Sequence, residues 1–274
     1  MGADGAVRTG IDAAIGVFDS GFGGLTVMRS LVEQLPNEDF IYLGDTARAP
    51  YGPRSIAEVR KFALQGLDHL MDRGVKALVI ACNSASSAAL RDARERYPVP
   101  VIEVVLPAAT HALAVTRNRR VGVLCTASTA NSRSYDDAFA VATEVALTTQ
   151  VCPRFVEFVE EGITGGPELL AVAEEYLASV KRAQSDTLIL GCTHYPLLSG
   201  VISYVLGPGV NLVSSAETCA QSAYSTLTKA GLLRYEPREA VREFLTTGDA
   251  HDFRGIGRRL LGGLITDVTT VALA

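Results

Sequence analysis

The sequence predicts an α/β fold built on mainly parallel sheets, and three observations lead to this prediction. Short apolar runs of strand length alternate with longer amphipathic stretches of helix length, as in right-handed βαβ units. The strand segments are apolar along their whole length, which is typical of strands covered by helices on both faces. The chain has 274 residues, of which 48% are hydrophobic and 20% charged, enough for a large core and about two domains.

The first half of the chain shows this alternation element by element. Its polar, glycine-rich first dozen residues predict a loose tail. Pro36 and Pro98 each end a predicted helix, because proline cannot continue a helix beyond its first turn. Predicted strands at 13–18, 39–44, 76–82 and 99–105 alternate with predicted helices at 25–35, 55–74 and 84–97.

The same pattern starts again near the middle of the chain. The segment VGVLCT (121–126) resembles IGVFDS (15–20), and TLILGC (187–192) resembles ALVIAC (77–82), with both pairs displaced by nearly the same number of residues. Either a duplication or the general similarity of buried parallel strands gives this pattern. Because ligands of open α/β sheets bind at the carboxyl ends of the strands, a duplication predicts two thiols that face each other across a cleft.

Composition excludes several classes of protein. The formal net charge is −5 and the only basic cluster, 117–120, is short, so no nucleic-acid partner is predicted. No apolar run approaches the roughly 20 residues that span a bilayer. The N-terminus lacks the apolar run of a signal peptide, and Ala6 stands where a myristoylation signal needs Ser or Thr. Five cysteines without a C-x-x-C pair indicate reduced thiols, so a cytoplasmic protein without a membrane partner is expected.

Two of the five cysteines stand where chemistry is expected. Cys82 ends a predicted strand and precedes residues that open helices, and a helix N-terminus favours the thiolate. Cys192 has the same placement and is followed by Thr193 and His194, whose imidazole can tune or protonate the thiol. The ordinary alternatives are a cysteine that only packs and a structural histidine. The other three cysteines lack such surroundings and are predicted to pack: Cys125, Cys152 and Cys219.

Two turns between predicted elements add polar groups. The glycines of DSGFGG (19–24) allow a close backbone approach, and its N–H groups can bind an anion. Thr26 replaces the third glycine of a dinucleotide-binding pattern, so a carboxylate is expected there rather than a pyrophosphate. Asp19 fits a cap, a base or a partner for an ammonium group. The segment 43–55 predicts an irregular loop. A single Cys-x-His without a second ligand pair predicts no metal site.

These residue types fit one reaction. Two thiols on opposite faces of a bound α-amino acid can exchange its Cα proton, one removing it and the other returning it from behind. A free thiol titrates near ~8.5 and the Cα proton is far less acidic, so the developing carbanion needs electrostatic stabilisation. The candidate donors lie at the predicted strand ends and are Ser20, Asn83, Ser84 and Thr193.

Four motifs together resemble one family. IGVFDSGFGGLTV, YLGDTARAPYG, VIACNSAS and GCTHYP are similar to the motifs of glutamate racemases, within the cofactor-independent aspartate/glutamate racemase superfamily. The similarity runs from about residue 14 to 264. It implies two pseudo-symmetric, flavodoxin-like α/β domains that enclose glutamate in the cleft between them, with no cofactor and no metal. The first domain is then 1–105 plus 214–274, and the second, inserted domain is 106–213.

The resemblance also implies roles for individual residues. Cys82 is the thiol that acts on D-glutamate, and Cys192 the thiol that acts on L-glutamate. Asp19 and His194 flank these thiols as proton-relay or tuning groups, and Glu160 of CPRFVEFVE supports them. The positions that match substrate-holding residues of the family are Asp19, Ser20, Tyr51, Gly52, Asn83, Ser84, Thr193 and His194.

Two positions depart from the family pattern. Residue 84 is Ser where the family usually has Thr, which keeps the hydroxyl. Residue 125 is Cys where relatives commonly have Gly, which leaves open the placement of the loop 125–129. Thr129 falls in this segment, which contacts substrate in relatives, so its role is left open too. The resemblance further implies a homodimer and a supply of D-glutamate for peptidoglycan.

Other functions remain open at this stage. One is a racemase for aspartate or another acidic amino acid, and another is a cysteine-dependent hydrolase that uses Cys82 and His194 through a covalent acyl intermediate. A third is a non-catalytic protein that binds an amino acid. A pyridoxal-dependent racemase is not favoured, because the four lysines lie outside every motif: Lys61, Lys76, Lys181 and Lys229.

Overall fold

Ten strands and eleven α-helices are described in the computed structural model, which covers residues 10–265 and 267–273. The predicted tail therefore lies mostly outside the described residues. No helix in this part of the chain is long and apolar enough to cross a bilayer. The strands are β1 (Ile15–Asp19), β2 (Phe40–Gly44), β3 (Ala77–Ile80), β4 (Val101–Glu103), β5 (Arg120–Cys125), β6 (Ala146–Val151), β7 (Thr187–Gly191), β8 (Asn211–Ser214), β9 (Arg242–Thr246) and β10 (Val268–Thr270). The α-helices are α1 (Leu25–Gln34), α2 (Ile56–Asp72), α3 (Asn83–Arg96), α4 (Val105–Val115), α5 (Ala127–Ser132), α6 (Ser134–Phe139), α7 (Pro153–Glu160), α8 (Pro167–Arg182), α9 (Ser199–Leu206), α10 (Ser215–Lys229) and α11 (Ala250–Leu261).

The strands form two sheets, and every strand pairing described is parallel. The larger sheet has the order β10-β9-β2-β1-β3-β4, and the smaller has the order β6-β5-β7-β8. The order β2-β1-β3-β4 therefore recurs as β6-β5-β7-β8, so the similar segments seen in the sequence occupy equivalent strands. The prediction of a pseudo-symmetric, parallel α/β fold is confirmed. The larger sheet takes strands from both ends of the chain, but the exact domain boundaries stay a prediction.

Three hydrophobic clusters show how the layers stack. One cluster joins both sheets through α1, α4 and α10, so these helices lie between the sheets. A second covers the other face of the larger sheet with α2 and α3. A third covers the other face of the smaller sheet with α7, α8 and α9. Because the central cluster belongs to both halves, burial of its apolar surface holds the two lobes together.

The strand predicted at 99–105 is wrong at its end, because the observed strand stops at Glu103 and α4 begins at Val105. The carboxylate of Glu103 accepts hydrogen bonds from the backbone N–H groups of Val105, at 2.5 Å, and Leu106, at 2.8 Å. These are among the N–H groups that a helix start leaves without a partner. An apolar pattern does not reveal this capping, since Val104 and Val105 suit a strand and a buried helix equally well.

Helix α2 begins with a capping box. The Ser55 side chain accepts a hydrogen bond from the Glu58 N–H, and the Glu58 carboxylate accepts from both the N–H and the hydroxyl of Ser55. Two backbone donors at the helix start are thereby satisfied.

Replacing Ser55 by alanine is expected to lower the free energy of unfolding by about 1 kcal/mol, because the cap is lost. Urea denaturation of the purified variant measures this difference. Ser55→Asp is the matched control, since aspartate also caps, and it is expected to keep most of the stability. Equal stability of the alanine and aspartate variants would contradict the prediction.

Candidate active site

A cavity of about 250 Å³ lies between the carboxyl ends of the strands of the two sheets. Ser20 follows β1 and Cys82 lies just beyond β3, both in the larger sheet, whereas Cys192 follows β7 in the smaller sheet. All three line this cavity. Each lobe therefore contributes one of the two predicted thiols to the same site, because parallel strands place their carboxyl ends at one edge of a sheet.

The cavity gathers most of the residues that the sequence singled out. Asp19 and Thr129 are the exceptions, since both are buried and neither lines the cavity. The predicted site residues that do line it are Ser20, Tyr51, Gly52, Cys82, Asn83, Ser84, Glu160, Cys192, Thr193 and His194. Gly21, from the turn that the sequence predicted to bind an anion, also lines it. Sequence reasoning did not single out the other lining residues, which are Ala49, Pro50, Pro53, Thr126, Ala127, Pro153, Val156 and Glu157.

Cys82 is the N-cap of α3, not merely its neighbour. Its sulfur accepts a hydrogen bond from the Ala85 N–H at 3.4 Å, and its thiol donates to Ser20 Oγ at 3.5 Å. Burial, and next the negative charge of Asp19, raises the pKa of Cys82 to about 12. The helix N-terminus was expected to favour the thiolate, but loss of solvation outweighs it. Cys82 therefore holds its proton at neutral pH.

Cys192 is paired with an imidazole. Its sulfur lies 3.7 Å from His194 Nδ1, and His194 Nε2 lies 3.3 Å from Glu160 Oε1 as an ion pair. Burial opposes the charged imidazole, yet the interactions with Cys192 and then Glu160 raise the pKa of His194 to about 10. A protonated His194 can donate a hydrogen bond to the sulfur and stabilise negative charge on it. The hydrolase alternative pairs His194 with Cys82, whereas the imidazole contacts Cys192.

Asp19 is completely buried and directly precedes Ser20, which lines the cavity. Its Oδ2 accepts a hydrogen bond from the Gly21 N–H at 2.8 Å, and its Oδ1 has no hydrogen-bond partner among the described residues. Burial raises the pKa of Asp19 even though the backbone N–H groups of Gly24 and Gly21 favour the carboxylate. The bond to the Gly21 N–H is that of a cap, one of the three roles left open by the sequence, and the charge of the carboxyl raises the pKa of Cys82.

The two lobes touch closely around the cavity. Thr26 Oγ1 donates a hydrogen bond to the Thr193 carbonyl at 2.8 Å, and the Ser128 N–H donates to the Gly52 carbonyl at 2.8 Å. A Cβ added to Gly23 would lie 2.2 Å from Thr193 Oγ1, so only glycine permits this approach. The glycine-rich turn therefore joins the lobes as well as offering N–H groups to a ligand.

The two departures from the family pattern have different consequences. Ser84 keeps a hydroxyl that forms a 2.9 Å hydrogen bond with Thr126 Oγ1. Cys125 is completely buried, and its carbonyl accepts a hydrogen bond from the Tyr195 hydroxyl at 3.2 Å. Thr129 does not line the cavity and instead bonds Thr126 Oγ1 at 3.3 Å. Of the loop, Thr126 and Ala127 reach the cavity, a detail that the sequence prediction lacked.

The charged side chains that line the cavity are His194, Glu157 and Glu160. No Lys or Arg belongs to its described lining, so carboxylates of a ligand would be bound by hydroxyls, the Asn83 amide and backbone N–H groups. Glu157 is exposed at the edge and was missed by sequence reasoning. The sequence contained one indication of its place: Glu157 and Glu160 stand three residues apart on one helix, and residues at this spacing share a helix face.

One group of possible metal ligands lies elsewhere. Asp249, His251 and Asp252 place their ligand atoms within 4.8 Å of one another, but all three side chains are exposed. Asp249 already serves as the N-cap of α11 through the Asp252 N–H. This group is at the surface and does not belong to the cavity lining.

A cleft between two parallel α/β lobes, in which one thiol from each lobe lines the same cavity, fits an isomerase of the racemase type. The family model of Asp/Glu/Hydantoin racemases matches residues 15–223. The chain belongs to this family, which confirms the resemblance found in the sequence motifs.

The most informative relatives are glutamate racemases. That of Parafrankia sp. (strain EAN1pec) is 58% identical over 264 residues, which is 96% of this chain and 95% of that protein. The crystal structure of a glutamate racemase isoform from Bacillus anthracis has a TM-score of 0.92 at 38% identity and covers 95% of this chain and 98% of its own. The glutamate racemase of Francisella tularensis, solved in complex with D-glutamate, has a TM-score of 0.89 at 35% identity, with 96% and 98% covered.

Proposed function

We propose that the protein interconverts L- and D-glutamate by a two-thiol mechanism without a cofactor. The observation that carries this proposal is that Cys82 and Cys192, from different sheets, line one cavity. Near-full-length similarity to glutamate racemases favours glutamate as the substrate over aspartate.

The reaction on L-glutamate begins at Cys192. Its thiolate, beside protonated His194, removes the Cα proton, so that a new S–H bond takes the proton and the C–H electron pair stays on carbon. The carbanion then takes the proton of the Cys82 thiol on its other face, which gives D-glutamate and a Cys82 thiolate. The negative charge of Asp19 raises the pKa of Cys82, so this thiolate regains a proton readily. D-glutamate reacts by the same steps in reverse.

The largest barrier is the weak acidity of the Cα proton. Each unit of pKa mismatch between carbon and sulfur costs about 1.36 kcal/mol. Hydrogen bonds to the substrate carboxylates become stronger as charge develops and lower this barrier. The donors that face the cavity for this purpose are Ser20, Asn83, Ser84, Thr126 and Thr193.

The physiological setting follows from the product. D-glutamate is a component of bacterial peptidoglycan, so the proposed role is the supply of a cell-wall precursor. Reduced, buried cysteines suit the cytoplasm. A homodimer is part of the same proposal, and sedimentation with and without glutamate tests it.

Incubation of metal-free and pyridoxal-free protein with L-glutamate in D2O tests the proposed function. We expect D-glutamate that carries one deuterium at Cα, measured by chiral chromatography and mass spectrometry. Parallel incubation with L-aspartate is the specificity control and is expected to give much slower turnover. Racemisation only after addition of pyridoxal phosphate, or faster turnover of aspartate, would overturn the proposal. Binding of glutamate without Cα exchange would favour the non-catalytic alternative.

A further inference from the structure

Tyr135 contacts the larger-sheet half of the site from behind the cavity wall. It belongs to α6, is 3% exposed and does not line the cavity. Its hydroxyl donates a 3.0 Å hydrogen bond to Oδ1 of Asn83, the residue that directly follows Cys82. The hydroxyl therefore reaches from the inserted region of the chain to the residue next to the first thiol.

The same side chain contacts the smaller-sheet half. A Cβ added to Gly191 would lie 3.1 Å from both Cε2 and the hydroxyl oxygen of Tyr135. The absence of a side chain at Gly191 thus leaves the space that the tyrosine fills. Because Gly191 directly precedes Cys192, Tyr135 packs on the strand end that carries the second thiol.

The amide of Asn83 is held at both ends. Its Oδ1 accepts from Tyr135, and its Nδ2 donates to Ser215 Oγ at 3.5 Å. Ser215 Oγ in turn donates to the Leu190 carbonyl in β7 at 3.0 Å. These contacts leave one hydrogen on Nδ2 for a ligand and fix the direction in which the amide faces.

We propose that Tyr135 is a positioning residue that sets the distance between the Cys82–Asn83 half of the site and the Gly191–Cys192 half. This inference rests on the proposed function, since a two-thiol reaction needs both sulfurs at the correct separation from one carbon. Rates of such reactions are sensitive to small displacements of the reacting groups. Tyr135 acts through Asn83 and Gly191 and does not touch the substrate.

Tyr135→Phe removes the hydroxyl and keeps the ring. We expect kcat/KM to fall about tenfold for both enantiomers, which corresponds to about 1.4 kcal/mol. KM is expected to rise, because the Asn83 amide loses its fixed direction. The kinetic isotope effect with Cα-deuterated glutamate is expected to equal or exceed that of the wild type, since proton transfer is the step that slows.

Tyr97→Phe is the matched control. The Tyr97 hydroxyl makes two partly buried hydrogen bonds to α2, to Asp68 Oδ1 at 2.8 Å and to the Leu64 carbonyl at 3.2 Å. Tyr97 is the C-cap of α3 and does not line the cavity. The Tyr97→Phe variant is expected to have a lower melting temperature than the wild type and an unchanged KM. Ser215→Ala removes the other support of the Asn83 amide and is expected to raise KM as well.

Three outcomes decide the proposal. A raised KM in soluble Tyr135→Phe and Ser215→Ala, with KM unchanged in Tyr97→Phe, supports it. An unchanged KM in either Tyr135→Phe or Ser215→Ala, or an equal rise of KM in Tyr97→Phe, overturns the positioning role of Tyr135. The proposed function still stands in that case, provided that the wild-type protein racemises glutamate. A wild-type protein without racemase activity contradicts the proposed function itself.

Discussion

Replacing Cys82 by alanine is expected to lower the rate of glutamate racemisation at least about 10³-fold, because general acid–base groups contribute up to about 10⁴-fold. Cys82 holds its proton at neutral pH, since burial raises its pKa to about 12. It is therefore the group that can return a proton to the carbanion. Cys192→Ala is expected to have an effect of the same order, since it removes the group proposed as the base for L-glutamate. Cys→Ser variants are expected to be strongly impaired too, because a serine hydroxyl is a far weaker acid than a thiol.

The loss of activity in these variants must appear in both directions of the reaction, from L- to D-glutamate and from D- to L-glutamate. L- and D-glutamate have equal free energy, so the two values of kcat/KM stay equal in every variant, although kcat and KM separately can differ. Circular dichroism started from either enantiomer measures both. Cys219→Ala is the matched control, because Cys219 is also a buried thiol with a pKa raised by burial but does not line the cavity. Full activity of Cys82→Ala would end the two-thiol proposal, and activity of Cys192→Ala would favour a mechanism with Cys82 alone.

The second large effect on activity is expected when His194 is replaced. Its pKa is raised to about 10 by Cys192 and Glu160 against the effect of burial, so the imidazole is protonated at neutral pH. We expect His194→Asn to lower kcat about 10²-fold at pH 8, because no cation then stabilises charge on the Cys192 sulfur. In the wild type, activity is expected to fall as pH rises through about 10. This alkaline fall is expected to be absent from the variant.

The same pKa has a consequence for stability. The folded-state pKa of His194 lies above its ordinary value of 6.5, so the folded state binds this proton more tightly than the unfolded state does. The resulting stabilisation is complete below about pH 6.5 and is lost as pH rises through about 10. His111→Asn is the control, since His111 is exposed on α4. An identical pH profile for wild type and His194→Asn would contradict the assignment of His194.

The local pattern of apolar and polar residues was sufficient to predict the order of strands and helices. Every strand predicted in the first half of the chain is observed, because buried parallel strands are apolar along their length and proline ends helices locally. The errors occur at element ends, as where Glu103 caps α4 from outside the helix. Such a contact depends on the conformation of one side chain, and the periodicity of apolar residues does not specify that conformation.

For the site, the sequence identified residues that follow strands, and the tertiary structure decided their partners. Placement of Cys82 and Cys192 after parallel strands already directed both to the carboxyl edge of a sheet. Sequence reasoning missed Glu157 because its three-residue spacing from Glu160 indicates a shared helix face but does not show that this face borders a pocket. It predicted a favoured thiolate at Cys82, whereas burial raises that pKa.

By itself the sequence determined the parallel α/β class and the family, and it singled out the two thiols, whereas the internal repeat was settled only by the strand order of the two sheets. The class, the family and the two thiols follow from hydrophobic periodicity and from short motifs, both of which are local in the chain. Only the tertiary structure decided that His194 contacts Cys192 and Glu160, and that Tyr135 joins Asn83 to Gly191. The reason is physical: hydrogen-bond partners and loss of solvation depend on packing between segments far apart in sequence, and no local pattern specifies that packing.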